Sequence, residues 1–177
     1  VINLGTLAVD GTIALTTDTG GAATVVNDAG INFEASTVRG ALSATATTGN
    51  ITQSAALAIT GVTTIAADSG NNITLSNTSN NFQAAVRITS GNNVTLVDAG
   101  AIDLGASTVS GTYAVTATAG GDITDSGVLA ITGTSTFTVA DGRSITLDQS
   151  STFSDTVTFA SAGTIASVEI NDSNAFD

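Results

Sequence analysis

Residues 57–61 read Leu57-Ala58-Ile59-Thr60-Gly61, and the same five residues return as Leu129-Ala130-Ile131-Thr132-Gly133. The echo spreads outward on both sides. Ala35-Ser36-Thr37-Val38-Arg39-Gly40 pairs with Ala106-Ser107-Thr108-Val109-Ser110-Gly111, and Asn50-Ile51-Thr52-Gln53-Ser54 with Asp122-Ile123-Thr124-Asp125-Ser126. Ile73-Thr74-Leu75 pairs with Ile145-Thr146-Leu147, and Phe82 with Phe153. The offset is 71 or 72 throughout, with one insertion near Gly121. A fixed internal period decides the architecture before any other signal is read. It divides the single segment 1–177 into a partial copy at 1–34, a full copy at 35–105 and a second at 106–177. In the partial copy, Val25-Val26-Asn27-Asp28-Ala29-Gly30 echoes Leu96-Val97-Asp98-Ala99-Gly100.

Each copy subdivides. Strand-like segments begin near Leu42, Thr63, Val86, Tyr113, Ser135 and Val157, at intervals of 21, 23, 27, 22 and 22 residues. A period just above 20 suits one coil of a β-solenoid, and the 27-residue interval is assigned to a long coil carrying the Ala-Ser-Thr-Val segment. Within a coil the period is two. Tyr113, Val115 and Ala117 alternate with Ala114, Thr116 and Thr118, as in a strand with one buried face. Corners follow at Gly49-Asn50, Gly70-Asn71-Asn72, Gly91-Asn92-Asn93 and Gly120-Gly121, residue types that tolerate a positive φ. No segment sustains a helical apolar stripe, and the abundant Thr, Val, Ile, Gly and Asn form helices poorly. The expected fold is all-β: a parallel β-solenoid of about 8 coils of 21–27 residues, three coils per 71–72-residue super-repeat.

One coil cannot bury its own apolar face; stacked coils about 4.8 Å apart can. Inward positions are expected at Leu42, Ile51, Leu57, Ile59, Ile65, Ile73, Leu75, Phe82, Val86, Ile88, Val94, Leu96, Tyr113, Val115, Ile123, Leu129, Ile131, Phe137, Ile145, Leu147, Phe153 and Phe159. Residues 71 or 72 apart, such as Leu57 and Leu129, are expected three coils apart on one face. Neither end carries an amphipathic helix or charged cap, so the chain reads as a fragment or one unit of a longer fibre, joined end to end near Val1–Leu15 and Ile165–Phe176.

Composition narrows the function. The 177 residues lack Pro, Cys, Met, Trp, His and Lys, and the only cations are Arg39, Arg87 and Arg143. A net charge of −12 opposes binding to nucleic acid or anionic membranes, while 42% hydrophobic residues set the chain apart from disordered acidic segments. No apolar run reaches the roughly 20 residues of a membrane-spanning helix. No signal peptide is visible, so an export signal is expected outside this stretch.

The repeated Gly-Asn-Asn-Val/Ile-Thr-Leu, Ala-Ser-Thr-Val-x-Gly and Leu-Ala-Ile-Thr-Gly phrases resemble the repeat regions of filamentous-haemagglutinin-like bacterial adhesins, large exoproteins of the two-partner-secretion type. The resemblance implies a right-handed parallel β-helix shaft, secreted and displayed at the cell surface. It implies no activity for the shaft.

Four groups of residues are candidates for something more. Asp122 and Asp125 near a corner, with Asp98 and Asp103 on a neighbouring coil, are the carboxylates available to a β-helix carbohydrate enzyme. Gly120-Gly121-Asp122-Ile123-Thr124-Asp125 also resembles a Gly-rich Ca²⁺ loop, without the nine-residue period that stacks ligands between coils. Solvated turn aspartates are the simpler reading of both. Outward Thr45, Thr47, Thr116, Thr118, Thr136, Thr138, Thr156 and Thr158 supply Thr-x-Thr pairs of the kind that resembles ice-binding or glycan-binding faces, with Arg87 interrupting the face. Asn50, Asn72 and Asn93 head Asn-x-Thr triplets, acceptors for glycosylation, and the favoured reading is an Asn ladder bonding corner to corner. The reading is therefore a shaft or spacer of a surface adhesin or extracellular filament. No catalysis, cofactor, nucleic-acid partner or membrane insertion is expected, and its partners are adjacent repeats, a second copy end to end, or a host surface or glycan ligand.

Overall fold

The computed structural model describes residues 1–174, which form twenty-two strands and no helix. In chain order they are β1 (Ile2–Leu7), β2 (Thr12–Ile13), β3 (Ala23–Asn27), β4 (Ile31–Phe33), β5 (Ser36–Val38), β6 (Leu42–Ala46), β7 (Ile51–Gln53) and β8 (Leu57–Ile59). Next come β9 (Thr63–Ala66), β10 (Ile73–Leu75), β11 (Asn81–Phe82), β12 (Val86–Ser90), β13 (Val94–Asp98), β14 (Ile102–Leu104), β15 (Ser107–Val109) and β16 (Tyr113–Ala117). The last are β17 (Ile123–Asp125), β18 (Leu129–Ile131), β19 (Ser135–Val139), β20 (Arg143–Phe153), β21 (Val157–Ser161) and β22 (Ile165–Asp172). Every strand pairing among the described residues is parallel.

The strands stack into three faces. Face one runs β1-β3-β6-β9-β12 and continues through β15 and β18 to the end of β20. Above β12 the stack is entered at the end of β14, where Leu104 pairs with Val86, and continues to β15 through Ser107 Oγ, which accepts the Ile88 N–H at 3.1 Å, and the Ser110 N–H on Gly91 O at 3.0 Å. Face two is the unbroken stack β2-β4-β7-β10-β13-β16-β19-β21. Face three holds β5-β8-β11 below and β14-β17-β20-β22 above, and the Ala99 N–H on Asn80 O, at 2.8 Å, links the two halves. Strand β20 turns a corner: Ile145 pairs with Ile123 on face three, and Phe153 with Ile131 on face one. The chain thus winds a β-solenoid of about eight coils, each visiting the faces in the same order.

Alternating parity fills the interior. Strands β6, β16 and β19 each read buried, half-buried, buried, half-buried, buried. All the expected inward residues are buried except Phe159, which is half-buried on the last coil. Phe137 anchors the upper core, edge-on to Tyr113 and Phe153 at centroid distances of 6.1 Å and stacked on Phe159 at 6.0 Å. Of the sharp corners, Gly49 and its counterpart Gly120 take a positive φ, at 83° and 91°. No described residue other than glycine does, so the corner asparagines serve a different purpose.

Two expectations are corrected together. Leu57 lies in β8 on face three and Leu129 in β18 on face one, so residues 71 or 72 apart do not share a face. Strand β3 corresponds to β13, β4 to β14 and so on; one copy is the ten strands β3–β12, and the next is β13–β21 with the bent β20 counted twice. Nine strands complete three coils, and the tenth carries the next copy one face onward. The tenth is the Ala-Ser-Thr-Val segment itself, which forms β5 and β15 rather than extending a coil. The interval of 27 residues from Val86 to Tyr113 therefore joins face one to face two and is not a coil. True coil steps run from 18 residues (Val86 to Leu104) to 24 (Ala66 to Ser90).

Candidate functional site

The corner between faces one and two carries a ladder. The Asn72 N–H donates to Asn50 Oδ1 at 2.7 Å, the Asn93 N–H to Asn72 Oδ1 at 3.1 Å, and the Thr112 N–H and hydroxyl to Asn93 Oδ1, each at 3.0 Å. Each amide oxygen satisfies a backbone donor of the coil above, which a bare corner leaves to water. The second copy repeats the device one corner onward. Asp122 Oδ1 accepts the Ser144 N–H at 2.9 Å, and Asp141 Oδ1 accepts the Thr164 N–H at 2.8 Å. Those Thr164 bonds hold the Asp141 carboxyl below its ordinary range. Asn50, Asn72 and Asn93 are thus placed as ladder rungs.

Asp122 and Asp125 do not form a pair. Asp122 immediately precedes β17, is exposed and faces out, while Asp125, the last residue of β17 and 8% exposed, faces in. Asp125 Oδ1 accepts the Asp148 N–H at 2.9 Å and the Gln149 N–H at 3.4 Å, while Oδ2 is buried without a partner. Burial chiefly raises its pKa, and the Asp148 and Asp103 charges add to that. Asp98 closes another inner corner, accepting the Phe82 N–H at 2.7 Å and the Gly100 N–H at 2.6 Å, and burial again raises its pKa. Asp103 faces outward from β14. Among the described residues no group of three or more acidic side chains is placed to hold a metal ion.

The inner corners form a polar set that the sequence reading passed over. Ser36 Oγ accepts the Leu15 N–H at 3.0 Å, as its counterpart Ser107 accepts that of Ile88. Asn80 Oδ1 accepts the Leu57 N–H at 2.9 Å, as Ser151 Oγ accepts that of Leu129 at 3.0 Å. Asn80 also exchanges two 2.8 Å bonds with Gln53, the counterpart of Asp125. The available signal was a polar residue at inward parity recurring in both copies.

The eight threonines divide. Thr116, Thr136, Thr138 and Thr158 lie on face two, Thr45 on face one. Thr47, Thr118 and Thr156 fall outside the strands, and the Thr47 and Thr118 hydroxyls each donate to a carbonyl of the coil below at 3.1 Å. Face two instead carries one straight outward column: Thr12, Asn32, Thr52, Thr74, Thr95, Ala114, Thr136 and Thr158, in register from coil to coil. Its neighbouring column reads Val97, Thr116, Thr138 and Ala160, so a two-column threonine array is confined to the upper coils.

No curated protein and no solved structure matches the chain. Two consecutive stretches, residues 20–89 and 91–160, each match one family, and they coincide with the two ten-strand copies just described. The chain belongs to the family described as Repeats of unknown function (DUF5649).

Proposed function

We propose that this solenoid is a shaft or spacer segment of a secreted bacterial surface adhesin or extracellular filament. The observation that carries the reading is the use of its polar groups. The conspicuous ones, Asn50, Asn72, Asn93, Asp98, Asp122 and Asp141, spend their acceptors on backbone N–H groups, mostly of neighbouring coils, and the candidate carboxylates point apart. Such an arrangement holds coils together and leaves no assembled chemistry, so the reading includes neither catalysis nor a bound cofactor or Ca²⁺. The acidic surface keeps neighbouring rods apart in solution.

The reading extends to assembly. Ile2, Leu4, Leu7 and Val9 at one end, and Val157, Phe159, Ile165 and Ile170 at the other, are only partly buried against the core. A further coil covers such side chains, either from the same chain or from a second copy stacked end to end. Of the junction residues expected from sequence, Phe176 lies outside the described residues. Surface location is tested by labelling intact source cells with antibody to this segment, before and after external protease. Label appearing only in permeabilised cells overturns it. Concentration-dependent scattering of the purified chain tests end-to-end stacking, and a monomer at all concentrations refutes it.

A second reading rests on the face-two column. A straight row of outward side chains, threonine at six of its eight positions, is a docking strip for a repetitive ligand such as a glycan chain or ice. Thermal hysteresis and glycan-array binding, each abolished by Thr74→Lys with Thr136→Lys, would raise this reading above the shaft.

A further inference from the structure

Each copy lays ten strands on a coil of three faces, so equivalent groups turn about the rod from copy to copy. The Gly61 N–H bonds Gly40 O at 2.9 Å at the corner between faces three and one; its counterpart, Gly133 N–H on Gly111 O at 3.1 Å, stands between faces one and two. The acceptor at Asn50 serves the corner between faces one and two, and its counterpart Asp122 the corner between two and three. Strand β10 lies on face two, and β20, its counterpart, begins on face three.

We infer that the number of repeat copies sets the direction in which the shaft presents whatever it carries. Each copy advances the chain by three and one third coils, about 16 Å at about 4.8 Å per coil, and by one face. Three copies make ten whole coils and restore the starting face about 48 Å further on. A surface determinant encoded once per copy therefore follows a spiral. A flat partner lying along the rod meets one copy in three, and a partner surrounding the rod meets every copy. The device that produces the turn is the short strand β5, with β15 as its counterpart: a copy without it has nine strands, closes three coils and does not turn.

The chain has no cysteine, so Arg87→Cys on face one and Thr158→Cys on face two accept bulky maleimide-linked tags at exposed positions before and after an insertion point at Asn93. Residues 23–93 are inserted after Asn93 once, three times, or once without residues 35–40, keeping Arg87 in the inserted copies. Electron microscopy of the doubly tagged rods then reads the angle between tags about the axis. The expected result is a change of one face with the single insertion and the original angle with the triple insertion and with the nine-strand insertion. Any gradual twist of the coils is common to the single and nine-strand insertions and cancels between them. An unchanged angle after the single insertion overturns the inference, as does an equal turn from the nine-strand insertion. If the nine-strand variant does not fold, insertion of one whole coil, a second copy of residues 73–93 after Asn93, supplies the gradual twist per coil to be subtracted from the single insertion.

Discussion

Leu57 and Leu129 begin the same five residues and are both fully buried, yet Leu57 enters the core from face three and Leu129 from face one. The pentapeptide encodes a strand, its inward parity and the glycine corner after it. It does not encode a direction in space, which is set by how many strands precede it on the coil.

The Asn ladder is testable at its middle rung. Asn72→Ala leaves the Asn93 N–H without its protein acceptor and frees Asn50 Oδ1 from no donor, since the backbone N–H of residue 72 remains. The corner is partly solvated, so the expected loss is about 0.5–1 kcal/mol in urea unfolding. Thr74→Ala on the neighbouring exposed column should stay within about 0.5 kcal/mol of the parent. Equal effects of the two substitutions would remove the ladder from the account.

Phe137 tests the aromatic hub. Phe137→Ala empties a site that Tyr113, Phe153 and Phe159 share, for an expected loss of about 3–5 kcal/mol. Coils contact only their neighbours, so the damage should be local. Hydrogen exchange should quicken in β16, β19 and β21 and stay unchanged in β4 and β7.

The glycine corners set how closely coils approach. A Cβ on Gly133 would lie 2.6 Å from the Gly111 backbone, whereas one on Gly70 meets nothing within 4 Å. Gly133→Ala should cost about 1–3 kcal/mol, and Gly70→Ala should be neutral within about 0.5 kcal/mol. Melting curves of the two variants compared with the parent make the measurement.

Asp98 and Asp125 predict the pH dependence. Both have folded pKa values raised chiefly by burial, so the folded chain holds their protons more tightly than the unfolded one. Their stabilising effect is complete below the unfolded value of about 3.9 and declines as pH rises toward the folded values. Asp141, with its lowered pKa, acts oppositely: its contribution is present above the unfolded value and is lost as pH falls through the folded one. Importing the first copy's neutral corner by Asp125→Gln with Ser151→Asn should gain about 1–2 kcal/mol at pH 7, more than the two single changes added together. The gain should shrink at pH 3. An equal gain at both pH values would show that the buried charge is not its source.

Much of this was legible in the residues. Period-two alternation placed Tyr113, Val115 and Phe137 inward, and the recurrent Gly-Asn corners located the ladder before any distance was known. Face assignment was not legible, because a short segment such as Ser36-Thr37-Val38 reads equally as extra length in a corner or as a strand of its own. Only its pairing with Leu57-Ala58-Ile59 decides that. The inner polar corners escaped for a related reason: an inward Ser or Asp breaks the apolar pattern, and its partner, a backbone N–H one coil away, carries no signature in sequence.

The parallel strands bond across coils, so the hydrogen bonds between coils run along the rod while the chain runs around it. Tension applied at the two ends therefore peels coils singly rather than shearing whole sheets. Each coil released, 21 residues from Ile102 to Ile123 for example, pays out roughly 70 Å of extended chain, at about 3.4 Å per residue, in place of about 4.8 Å of rod. The coiled chain is thus a reserve of slack, able to keep its two ends joined through extensions many times its resting length.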